Sequence, residues 1–99
     1  MDSIFELLEE VRKRPTMYIT KKSIHCLRAY LDGWMHRNTD EVKDLQQWGE
    51  FNDWVEVKYN VRSTQGWAKI IEFWSLDDVE AVDHFFALLT EYKTGKGIG

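Results

Sequence analysis

A single proline, Pro15, sits between two runs of apolar residues at helical spacing, and it constrains the fold more than any other residue. Before it, Ile4, Leu7, Leu8 and Val11 recur at the offsets that place side chains on one helix face. After it, Ser23 can cap a run carrying Ile24, Leu27, Leu31, Trp34 and Met35. The proline ring cannot continue the first helix, and it pushes Arg14 out of the helical region. The chain must therefore stop and turn. Met17, Tyr18 and Ile19 follow as apolar side chains in a formal loop. They are expected to pack down as a buried connector that fixes the angle between the two helices.

Helix 1 is expected over residues 3–12, with Asp2 or Ser3 as cap and Glu6 in the favourable first turn. Helix 2 is expected over 23–37. Its Gly33 costs about 1 kcal/mol relative to alanine, which suggests close approach of a neighbour there. A turn at Asn38, Thr39 and Asp40 opens a polar stretch, 41–47, anchored only by Val42 and Leu45. Residues 48–62 fit two periods. Phe51, Trp54, Val55, Lys58 and Tyr59 suit a helix, whereas Val55, Val57, Tyr59 and Val61 alternate with polar residues as in a strand. Beyond a turn at 63–66, Trp67, Ile70, Ile71 and Trp74 have helical spacing. The last helix is the plainest. Ser75 is expected to cap it and Asp78 to complete a capping box, with Asp77 and Glu80 also at its positive end. Val79, Val82, Phe85, Phe86, Leu89 and Tyr92 form a wide apolar face that ends near Lys93 and Gly95. One domain over 1–93 with a flexible tail, 94–99, follows from this pattern.

Little in the sequence invites catalysis. One cysteine, Cys26, excludes an internal disulfide and fits a reducing compartment. No apolar run has signal-peptide or membrane-span length, so a cytoplasmic protein without membrane contact is expected. His25 and Cys26 are adjacent and point apart, as do Asp83 and His84, and His36 stands at a helix end. No pair has metal-ligand or acid–base spacing, so no catalytic residue, metal or cofactor is expected.

Charge and tryptophan carry more. Residues 1–39 hold seven basic and five acidic side chains, whereas 40–99 hold six basic and twelve acidic. The balance of −6 in the second part argues against direct nucleic-acid binding and permits a basic protein partner. Of five tryptophans, Trp67 and Trp74 sit with isoleucines and are expected in the core. Trp48 lies among Gln46, Gln47, Gly49 and Glu50, which makes it the candidate for an exposed anchor. Around it stand Asp40, Glu41, Asp44, Glu50, Asp53 and Glu56, relieved only by Lys43. These seven residues, Trp48 and the six acids, are the expected partner-binding face.

Two resemblances attach to the chain. The segment from Leu8 through Val11, Arg12, Lys13, Arg14 and Pro15 to Met17, Tyr18 and Ile19 resembles the start of the ATPase domain of type II DNA topoisomerases. Such a domain needs a general-base Glu and a magnesium-binding Asn on the next helix, and residues 23–37 contain neither. Nearly the whole chain is similar to a family of small helical bacterial proteins, some of them immunity proteins for secreted toxins, including contact-dependent growth inhibition systems. The matching positions are Arg14, Pro15, Met17, Tyr18, Ile19, Ser23, Leu27, Leu31 and Gly33, then Phe51, Val55, Lys58, Tyr59, Ser63, Thr64, Gly66, Trp67 and Ile71, and finally Phe85, Phe86, Leu89 and Tyr92. Where that family often has Gly after the Tyr-Ile pair, this chain has Thr20. The resemblance favours helix over 48–62, as does the lack of a partner strand. It implies an all-α bundle of about five helices that binds and neutralises a cognate C-terminal toxin domain. Nuclease toxins are basic because they bind phosphate, so a nuclease is the partner that the acidic face favours. A structural or adaptor module outside toxin biology is the alternative.

Overall fold

The computed structural model describes residues 3–37, 40–61 and 66–95. Five helices follow one another: α1 Ile4–Lys13, α2 Ile24–Arg37, α3 Leu45–Tyr59, α4 Trp67–Phe73 and α5 Asp78–Gly95, with a short 3-10 turn, Pro15–Met17, after α1. No strand occurs among the described residues, and the fold is an all-α bundle. α5 packs against α2, α3 and α4, while α1 seats on α3. The expected turns at 38–39 and 63–65 and the tail beyond Gly95 lie outside the described residues. Thr94 and Gly95 themselves belong to α5.

Pro15 does what its chemistry requires. Arg14 leaves the helical region at φ −139°, and the chain tightens into a 3-10 turn in which the Tyr18 and Ile19 amides both donate to the Pro15 carbonyl. Ile19 is buried and Tyr18, half-buried, lies 6.0 Å from the Tyr30 ring. Met17, however, points into solvent. The connector is thus pinned by Ile19 and Tyr18, not by all three apolar residues.

Each of the first two helices is closed by an aspartate from a distant helix start. Ser3 caps α1 locally, its Oγ accepting the Glu6 amide, and its hydroxyl donates to Asp44 Oδ2 at 2.7 Å. The Ile4 and Phe5 amides donate to the same carboxylate at 2.8 and 3.2 Å. Ser23 caps α2 by accepting the Cys26 amide, and Asp78, the first residue of α5, accepts the Ile24 amide at 2.7 Å. Both serines are buried, and so is Asp44, at 8% exposure. A carboxylate tolerates such a place because helix N-terminal amides and the helix dipole replace its water.

The core is aromatic, and Trp48 is at its centre. Its ring lies 5.6 Å from Phe51, 5.6 Å from Trp67, 6.3 Å from Phe85 and 6.4 Å from Phe5, so it joins α1, α3, α4 and α5. At 6% exposure it is no surface anchor, and that expectation is corrected. The reason is that α3 starts at Leu45, which puts Trp48, Phe51 and Val55 on one buried stripe despite polar neighbours in sequence. The α3 segment is helical up to Tyr59 and is ended by Asn60 in the left-handed conformation at φ 53°, an arrangement asparagine tolerates.

Three further expectations change. Trp74 is not in the core. α4 ends at Phe73, so Trp74 leaves the helical stripe and stacks on Tyr59. Ser75 does not cap α5. Asp77 does, its Oδ1 accepting the Glu80 amide while the Glu80 carboxylate accepts the Leu76 amide. Gly33 marks no close approach, because a Cβ there would have nothing within 4 Å.

Two stability outcomes follow. Asp44→Ala strands the Ser3 hydroxyl and two helix amides in a buried place, and should cost about 2–4 kcal/mol by the loss of a cap and unsatisfied donors. Gly33→Ala should stabilise by roughly 0.5–1 kcal/mol, since helix propensity acts there unopposed. Urea denaturation midpoints measure both. A parental midpoint for Asp44→Ala would refute the capping role, and a lower midpoint for Gly33→Ala would show an unseen contact.

Candidate protein-binding surface

The structure divides the expected face. Asp40, Glu41, Glu50 and Asp53 are exposed and Glu56 is half-buried. Asp44 and Trp48 have been drawn inward, one as the cap of α1 and the other as the hub of the core. Glu50 and Asp53 stand one helical turn apart on the outer side of α3, and Asp53 and Glu56 line a depression with Val57, Asn60 and Val61. A second depression beside the helix start is lined by Lys43, Asp44, Gln46, Gln47 and Glu50. Among the described residues, no basic side chain lies within 4.0 Å of the carboxylates of Asp40, Glu41, Glu50, Asp53 or Glu56.

The acids of α5 differ. Asp83 pairs with Lys22 at 2.8 Å, Glu91 pairs with Lys58 at 2.9 Å, and Asp77 and Asp78 close helix ends. Structural duty absorbs most of that charge. The rival acidic cluster at the start of α5 is therefore largely a set of caps.

His25 and His84 have partners that the sequence does not reveal. His25 Nε2 donates to Glu72 Oε2 at 2.7 Å, and Glu72 Oε1 also faces Lys69 Nζ at 3.5 Å. Donor atoms of His25, Glu72 and Asp78 all lie within 4.8 Å of one another, a spacing that could accept a metal ion. Yet Asp78 already takes the Ile24 amide at the positive end of α2, and Glu72 already faces Lys69. A cation would meet the helix dipole and an ammonium. The arrangement is built as a lock between α2, α4 and α5.

His84 lies between Ser75 and Tyr59. Its Nδ1 is 2.8 Å from Ser75 Oγ and its Nε2 is 2.7 Å from the Tyr59 hydroxyl. Ser75 Oγ donates to the Ile71 carbonyl at 2.6 Å, so a neutral imidazole donates from Nδ1 to Ser75 and accepts from Tyr59 at Nε2. Burial raises the Tyr59 phenol above its ordinary value, more than the nearby Lys58 charge lowers it, which keeps the phenol a donor. In a serine–histidine nucleophile the histidine takes the serine proton, whereas here that proton points at a carbonyl. The relay ties α3, the α4–α5 corner and α5 together. Its members are 25 and 9 residues apart, so no local motif announces them.

What these features define is a helical bundle whose internal acids close helices and whose free acids gather along α3. The chain matches no protein-family model, no curated protein and no solved structure. Among the described residues, no helix is long and apolar enough to cross a membrane.

Asp78 provides the pH test. Burial raises its carboxyl, but hydrogen bonds from the Ser23 hydroxyl and the Ile24 amide, with the His25 charge and amide beside it, outweigh this and hold it below its ordinary value. A depressed folded pKa gives stability that is present above the unfolded value of about 4 and lost as pH falls through the folded one. Parent and Asp78→Asn should therefore differ most near neutral pH and converge below about pH 4. Urea midpoints at pH 7 and pH 3 test this, and an unchanged gap would contradict it.

Proposed function

We propose that this protein is a binding module that holds a cationic protein domain against the exposed acidic side of α3. In the fullest form of this reading the partner is a cognate secreted toxin domain, a basic nuclease, neutralised by one-to-one contact without turnover. The observation that carries it is the run Glu50, Asp53 and Glu56, continued by Asp40 and Glu41, with no basic side chain within ion-pair distance among the described residues. Like charges left uncompensated along one helix cost stability, and a cationic partner relieves that cost. The similarity of the Pro15 segment and the later aromatic positions to helical immunity proteins supports the toxin assignment. Such a face would compete with phosphate for the toxin's basic cleft and would itself repel nucleic acid.

The partner is recovered by affinity capture from the cells that make this protein, and association is then followed by stopped flow. Glu50→Lys, Asp53→Lys and Glu56→Lys together should slow association about tenfold or more at low salt. The difference should narrow as salt screens the surface, with dissociation changed less. Parental association rates would exclude this face.

A further inference from the structure

We infer that the corner between α4 and α5, together with the depression at the end of α3, docks an amphipathic basic segment of the protein partner. This deepens the proposed function and rests on it: the partner is the same cationic protein, and the addition is where its apolar side chains anchor.

Phe73, Trp74, Leu76 and Val79 are 78%, 51%, 92% and 51% exposed. Single exposed apolar residues are ordinary, but four large ones within seven positions form a patch of the kind found at interaction sites. Trp74 is also held in place. Tyr59 stacks on it at 5.4 Å and 16°, and Phe73 meets it edge-on at 5.4 Å. Tyr59 in turn is fixed by the His84–Ser75–Ile71 relay, and the Leu76 amide by Glu80. An aromatic side chain presented rigidly to solvent loses little freedom on binding, which is the property of an interface anchor.

The Tyr59–Trp74 stack brings the end of α3 beside this patch. Tyr59 is the last residue of α3, and Asn60 and Val61 just past it line the depression of about 460 Å³ with Asp53, Glu56 and the 79% exposed Val57. Apolar walls therefore adjoin carboxylates. Asp53, Glu56, Asp77 and Glu80 have no cation within 4.0 Å among the described residues. A second copy of this chain would bring the same carboxylates against them, so self-association is opposed by charge. A segment carrying Lys or Arg beside aliphatic or aromatic side chains satisfies both halves of the surface.

The test titrates the ¹⁵N-labelled full chain at low salt with a synthetic amphipathic helix of leucine and lysine, and with its leucine–glutamate counterpart. The lysine peptide should shift the Trp74 indole and the Leu76 amide together with the amides of Asp53, Glu56 and Val57, leaving the Trp48 indole unmoved. The glutamate peptide should shift none of them. Trp74→Ser and Leu76→Ser should each weaken the lysine peptide at least tenfold, and so should Asp53→Lys with Glu56→Lys. Leu76→Ser, at an almost fully exposed side chain, serves if Trp74→Ser fails to fold. Shifts confined to Glu50, Asp53 and Glu56, with parental affinity in both serine variants, overturn this inference and leave the acidic-side reading standing. Equal binding of the glutamate peptide overturns the charge argument and both readings with it, as does absence of any shift. A parent that sediments as a dimer and becomes monomeric on Leu76→Ser shows that a second copy fills the site, and overturns it too.

Discussion

The carboxylate of Asp44 is the interaction on which the rest of the structure depends. It accepts the Ser3 hydroxyl and the Ile4 and Phe5 amides, while its own backbone carbonyl accepts the Trp48 amide and starts α3. One residue thereby sets where α1 begins, where α3 begins and how the two meet. That registration places Phe5 against Trp48, and Trp48 against Trp67 and Phe85. Asp78 repeats the device for α2 from the start of α5. The bundle is thus indexed by two charges at helix N-termini before any apolar contact is considered, and the aromatic core fills the space they define.

Where the sequence carried local period, it could be read. Ile4, Leu7, Leu8 and Val11 are one buried stripe, Pro15 ends α1, and α5 runs with Val82, Phe85, Phe86, Leu89 and Tyr92 inward, although Val79, expected on the same face, is exposed. The misreadings share a cause. Asp44 looks like surface charge because the groups it serves are about forty positions away, and no pattern in its neighbourhood distinguishes a remote cap from a solvated acid. Trp48 looks exposed because Gln46, Gln47, Gly49 and Glu50 surround it in sequence, although its helical neighbours are Phe51 and Val55. Trp74 continues a stripe on paper that the chain abandons one residue earlier. Gly33 is a weak position without a packing reason. The candidate site was legible only as a charge imbalance. Which acids are free depends on the fold.

That sorting gives the surface its character. Acids at helix starts are consumed in closing helices, and those near basic side chains in tying α5 to its neighbours. What remains free is along α3, and exposed aromatic and aliphatic side chains gather around the α4–α5 corner. Charge favours encounter and apolar anchors retard release, so the two kinds of residue act on different steps of association.

The remote caps also have a bearing on how the chain comes to be folded as it is made. The bond from Ile24 to Asp78 spans 54 positions, and that from Ser3 to Asp44 spans 41. On a ribosome α1 and α2 emerge first with only the local caps of Ser3 and Ser23, and the remote carboxylate of each cap arrives with a later segment. The α1 cap is completed once Asp44 is made, whereas α2 keeps a half-built cap and an uncovered apolar face until α5 brings Asp78. A chain truncated before Asp78 would expose the stripe that carries Ile24, Leu27 and Leu31, which quality-control machinery is built to find.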